Sequence, residues 1–240
     1  MPPFSFRFLR KLTVRNHLDS YKERRNTVAR RVVQAPQLSS LHLDVREGIG
    51  LHARGNFENE WFSGEFGAEL QAMTLTGCML ADSNLGGIDL SSSTFAECEL
   101  TGLEAPAWKM ARTVLREVEV ADSRFGAADF AEAELYSVGF SGCKFSWISH
   151  SGGRLRDVLF ADCVFEEVDL TQAEAQRVAF RDCRAHTLRI DSARLKDVDL
   201  RGLDFEAISG AGSLRGAVLS NEQAVHLAPT LAAHLGAIVD

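Results

Sequence analysis

The sequence predicts an all-β solenoid of about seven square coils over residues 68–207, with irregular coils before it and a short α-helical cap after it. Three observations carry this. Apolar side chains recur every five residues, a second inward position precedes each of them by two, and like residues recur at a lag of 20. Helices repeat an apolar side chain every 3.6 residues and strands every two. A period of five fits neither, but it fits a chain that turns a corner every five residues.

Of the 28 positions taken every fifth residue from Leu70 to Phe205, twelve are Leu and nine are Phe. The rest are Ala105, Met110, Val120, His150, Ala175, Ala185 and Ile190, so only His150 is polar. Two residues earlier, 23 of 28 are apolar, and the exceptions Ser83, Ser93, Thr113, Ser123 and Gly153 are small. The other three positions hold only 5, 7 and 5 apolar residues. Four five-residue sides close a coil of 20, and stacked coils pair at the ~4.8 Å spacing of β-ladders. The columns agree with this stacking. One reads Leu80, Leu100, Val120, Phe140, Phe160, Phe180, Leu200, and another places Cys143, Cys163 and Cys183 on successive coils.

Units such as ADSNL (81–85), AADFA (127–131), AEAEL (131–135) and KDVDL (196–200) resemble the A-(D/N)-L-x-x motif of the pentapeptide repeat family. The resemblance covers residues 68–207 and implies a right-handed quadrilateral β-helix. The residue before the central one is Asp or Asn in a minority of units, but that side chain points outward.

The organisation expected is a basic arm or capping helix over 1–36, irregular β-coils over 37–67, the β-helix over 68–210, and a C-terminal cap or dimerisation element over 211–240. Residues 1–36 hold nine Lys/Arg and two Asp/Glu; residues 37–240 hold 17 and 31. A basic arm therefore precedes an acidic body. HLDSYKERRNTVARRVVQ (17–34) spaces Leu18, Tyr21, Val28 and Val32 on one helical face. It is expected to cover the first coil's open end, with an acidic partner or a membrane surface as alternatives. At the other end, Ser220 with Gln223 is a capping-box signature. A helix over about 221–228, a second from Pro229 to near Gly236 and a terminal strand at Ile238 and Val239 are expected. Leu227, Leu231 and Leu235 then cover the last coil or meet a twin. The family resemblance implies the second, a homodimer, because quinolone-resistance members pair through such segments.

Three irregular places read as packing. Trp108 in LEAPAWKMART (103–113) sits between the small Ala105 and Thr113, a volume exchange within one coil. Pro106 marks a corner or bulge. His150 points into the column of Phe130 and Leu170, and a bulge at Gly152 and Gly153 is expected to bring it a hydrogen-bond partner. All five cysteines, at 78, 98, 143, 163 and 183, take the smaller inward position and read as structural free thiols.

No G-x-S-x-G, Walker loop or H-E-x-x-H is present, and no C-x₂-C pair. GAGSLRG (210–216) misses both nucleotide fingerprints. No catalytic residue, metal or cofactor is expected, and the chain reads as non-enzymatic. The basic start lacks a continuous apolar core, so no secretory signal is read and a cytoplasmic protein is expected. No run approaches a membrane span.

Function then falls on the outer sides. The side following Leu75 carries Glu97, Glu99, Glu117, Glu119, Asp157, Asp197 and Asp199; the side following Leu85 carries Asp89, Asp129, Glu166, Glu167, Asp169 and Glu206. These are the candidate partner-binding residues of an interaction rod, and direct nucleic-acid binding by the acidic body is not expected. The family resemblance implies an alternative, a DNA mimic that binds DNA gyrase and confers quinolone resistance. Basic residues interrupt the acidic rows, most heavily at Arg124, Lys144, Arg181, Arg184 and Arg201.

Overall fold

The computed structural model describes residues 33, 36, 38, 44–47 and 50–237. The expected helix over 17–34 and the strand at Ile238 and Val239 lie outside these residues, apart from Val33. Within them the chain is a parallel β-solenoid of about eight turns ending in one helix. Strands pair with the next coil at a lag of 20: Lys144 with Val164, Phe145 with Phe165, Val158 with Val178. Backbone N–H groups donate to the next coil, as in Phe130 to Ser149 O (2.8 Å) and His150 to Asp169 O (2.8 Å), and to the preceding one, as in Lys144 to Ser123 O (2.9 Å).

The solenoid has one turn more than the sequence period shows. Asn56–Glu58 pairs with Thr74–Thr76 at a lag of 18, and Trp61 pairs with Met79 at the same lag. This coil is two residues short, so it drops out of the five-residue register although Phe57 and Phe62 are buried like any central residue. Asp44–Glu47 pairs beneath it. At the other end, Ala217–Val218 pairs with Val198–Asp199 at a lag of 19.

Corners explain why five residues suffice per side. The second residue after each central one adopts a left-handed backbone at three of the four corners, as at Arg112 (φ 57), Glu117 (φ 52) and Asp122 (φ 50). Such a residue makes a sharp turn, as in a type II bend. Residues there are polar or small and none is β-branched, as the steric cost requires. The fourth corner, at Ala107, Ala127, Trp147, Glu167 and Thr187, turns without positive φ.

The axis is filled. Phe140, Phe160 and Phe180 stack with centroids 4.8 and 5.0 Å apart, and Phe125, Phe145 and Phe165 at 5.2 and 5.4 Å. Trp108 stacks on Phe125 at 4.2 Å, over the space that Ala105 leaves open. At the smaller inward position, side chains satisfy nearby backbone. Ser123 Oγ accepts from Leu103 N and donates to Ala121 O, and the Cys98 and Cys163 thiols donate to the carbonyls two residues back (3.2 Å each).

Two expectations need correction. One continuous helix, α1 (Asn221–His234), replaces the expected pair, with Pro229 inside it. Proline removes one intrahelical donor, but the stretch around it is exposed, so water can take up the freed carbonyl. His150 is 1% exposed, and neither ring nitrogen has a hydrogen-bond partner. The turn at Gly152 and Gly153 closes on the His150 backbone oxygen instead of its ring. Burial holds the imidazole neutral, pushing its pKa down to about 3, while Asp169 works weakly the other way.

The cap is held as the sequence suggested. Gln223 N donates to Ser220 Oγ (3.1 Å) and Ser220 N donates to Gln223 Oε1 (2.9 Å). The same Gln223 side chain then donates to Leu203 O (2.8 Å) and to Leu200 O (2.7 Å), which also accepts from Leu203 N (3.0 Å), tying the helix to the last coil. Leu227 is buried in the core and Leu231 packs against it.

Candidate interaction surfaces

A side chain can act only where it reaches solvent, and the packed axis leaves the four outer faces and the ends. Each face carries the residues just before and just after a central residue, plus the corner that follows. The structure therefore separates acids that the sequence reading grouped. Glu97, Glu117, Asp157 and Asp197 stand at left-handed corners, while Glu99, Glu119 and Asp199 lie on the next face. Glu166, Glu167 and Glu206 share a face with Arg124, Lys144 and Arg184. Asp89, Asp129 and Asp169 lie on the following one.

The face centred on Leu135 and Leu155 is neutralised rung by rung. Arg154 Nη1 donates to Glu134 Oε1 at 2.8 Å, Arg154 Nε lies 3.9 Å from Glu174 Oε2, and Arg194 Nη1 donates to Glu174 Oε1 at 2.7 Å. At its corner, Arg177 makes a two-pronged bond to Asp157.

The face centred on Val120, Phe140 and Phe160 is not a free surface. Its outward residues Met79, Ala81, Leu159, Ala161 and Ala179 are buried. Pro36 Cγ lies 3.6 Å from where a Cβ on Gly139 would stand. Glu99 and Glu119 stack in register here, and burial, with Glu99 beside it, pushes the Glu119 carboxyl up to about 7. Glu97, Glu99, Glu117 and Asp199 each already hold an interaction. Asp199 also takes Arg201 Nη2 at 2.6 Å.

On the face centred on Phe130, His150 and Leu170, Asp89, Asp129 and Asp169 each accept the backbone N–H two residues on, at 2.9 Å. These carboxylates shape turns. The sequence reading missed an exposed edge of Asp82, Asp122, Asp162 and Asp182, with Arg181 reaching the last two at 3.6 and 3.9 Å. Its signal was legible: Asp alternates with Gly102 and Gly142 at a lag of 20, the two residue types that best tolerate positive φ there.

At the C-terminal end, Leu227 faces the core, but Leu235 is 82% exposed and Val225 76%. The outward apolar residues at this end are thus Val225 of α1 and Leu235 just after it, not the set Leu227, Leu231 and Leu235. Among the described residues, no group of three His, Cys, Asp or Glu is placed to hold a metal ion, and no helix is long and apolar enough to cross a membrane.

Five-residue sides, four to a coil, with two inward residues per side, define this chain as a parallel β-solenoid built from five-residue units. No protein-family model and no curated protein matches its sequence. Among solved structures, it is similar to a trypsin-treated form of QnrB1, a plasmid-mediated fluoroquinolone resistance protein. That match has 19% identity over 82% of this chain and 99% of the other, with a TM-score of 0.35. It is also similar to HetL, a pentapeptide repeat protein involved in heterocyst differentiation regulation from the cyanobacterium Nostoc. Here the identity is 18% over 63% of this chain and 91% of the other, with a TM-score of 0.25. Likeness at this level bears on neither partner nor activity.

Proposed function

We propose that this chain is a non-enzymatic interaction rod whose outer faces bind a protein partner. The observation that carries it is the filled axis: the buried side chains form one continuous cluster from Leu51 to Leu227. Catalysis needs polar groups converging in a concave site, and the acids and bases of the described coils stand in rows on the outer faces instead. The reading implies a cytoplasmic protein without a cofactor. Its test is affinity capture with the intact chain and with a variant reversing Glu166, Glu167 and Asp122. A partner retained by the first and lost by the second supports an acidic contact; no reproducible partner overturns the reading.

A second reading is a DNA mimic that binds DNA gyrase, and the exposed edge from Asp82 to Asp182 favours it. Five rung spacings of ~4.8 Å give that edge a length of about 24 Å, comparable to seven base pairs of duplex at ~3.4 Å each. The charge-paired rows and the basic column beside it weaken any uniform field. Inhibition of gyrase supercoiling at micromolar protein, relieved by reversing Asp122 and Asp162, supports this reading; no inhibition ends it. Pairing of two chains through Val225 of α1 and Leu235 just after it fits either reading, and light scattering on Val225→Glu measures it.

A further inference from the structure

One column breaks the charge pattern of its neighbour. Arg124, Lys144, Val164 and Arg184 stack in register on the face centred on Phe125, Phe145 and Phe165. Rungs lie ~4.8 Å apart, so Arg124 and Lys144 place like charges on adjacent rungs, which weakens a ladder. The column Glu134, Arg154, Glu174, Arg194 alternates and pairs instead. Among the described residues, Arg124 and Lys144 have no acidic partner, and Arg184 reaches only Asp204, at 4.0 Å. Between the cations stands Val164, 46% exposed and the only exposed large aliphatic side chain described on the solenoid itself. Trp147, on the rung of Lys144, is partly exposed three residues along, at the corner that closes this face beside Glu167. A like-charged column with an open valine breaks local rules without an internal gain, a mark of a surface shaped for something else.

We infer that this strip docks an extended acidic segment of a partner protein, with an apolar residue among its carboxylates. The cations take the carboxylates, and Val164 takes the apolar side chain. Length sets the class of partner. Glu104 precedes Arg124 in the column and Asp204 follows Arg184. The basic strip therefore spans about 14 Å, the reach of four or five extended residues. A nucleic acid would carry its phosphates on past both acids, where they are repelled. The inference names one docking face of the interaction rod proposed above.

The test is fluorescence anisotropy of the whole protein with a labelled Asp-Glu-Val-Glu-Asp peptide, a Lys-Lys-Val-Lys-Lys control and an oligothymidylate. The acidic peptide is expected to bind saturably and to weaken as salt rises from about 50 to about 300 mM. Lys144→Glu is expected to reduce affinity at least about tenfold, and Val164→Ser about threefold, with thermal melting unchanged. Should Lys144→Glu fail to fold, Arg124→Gln takes its place. Equal binding of the basic control, no binding at millimolar peptide, indifference to the substitutions, or tighter binding of the oligothymidylate overturns the inference. None of these outcomes touches the rod reading, which is tested by capture with the acidic residues reversed.

Discussion

Replacing His150 by leucine tests the packed axis at its one polar central position. The ring is 1% exposed, stacks on Phe130 at 5.1 Å and leaves both nitrogens without partners. A buried polar group without a partner costs about 1–3 kcal/mol, so His150→Leu is expected to raise stability by about that much at pH 7. Leucine suits the column, where Met110, Leu170 and Ile190 already stand. Acid enlarges the difference. The folded pKa, about 3, lies below the unfolded value of about 6.5, so the unfolded chain takes the proton first. Stability is whole above pH 6.5 and drains as pH falls towards 3, at about 1.4 kcal/mol per pH unit. At pH 5 the native protein has lost about 2 kcal/mol through this residue, and the variant loses none of it. Urea midpoints followed by circular dichroism at pH 7 and pH 5 give the two differences. A variant less stable at both pH values, or a difference that does not widen in acid, refutes the reasoning.

Gln223→Ala removes two bonds to the last coil and half of the capping box, and is expected to lower stability by about 1–3 kcal/mol and to open residues 211–237 to limited proteolysis. Burial raises the thiol pKa values of Cys78 and Cys98, the latter to about 12, and all five thiols are buried, so a thiol reagent at pH 8 should modify none of the five cysteines until the protein is unfolded. Glu119 has its pKa raised to about 7 from 4.5, so its contribution is lost as pH rises through that window; Glu119→Gln should stabilise by about 1–2 kcal/mol at pH 8 and by little at pH 4.5. At the exposed left-handed corner Gln172 (φ 57), valine should cost about 1–2 kcal/mol and glycine almost nothing, read from thermal melting.

The solenoid was legible because each central residue is buried on its own account, and the signal repeats in every unit. The coil from Leu51 to Phe66 reads in the sequence only as an irregular coil because it is two residues short, which shifts the phase without changing which side chains are buried. Pro229 suggested two helices, since a sequence does not reveal that the carbonyl it frees will face solvent. Outer faces were the least legible part. A corner falls between Glu117 and Glu119, so residues two apart point from different faces, and only coordinates place that corner. The burial of Leu159 and Ala179 on an outer face depends on long-range packing that the five-residue period does not encode.

The most direct measurement is a distance along the axis. Spin labels on cysteines introduced at Ser92 and Ser192, both exposed corners on the same column, are separated by five coils while the native thiols stay buried and unlabelled. Stacked square coils predict a narrow distribution centred near 24 Å, widened by a few ångströms of label linker. A broad distribution, or one centred beyond about 40 Å, would show that the chain does not climb one rung every 20 residues.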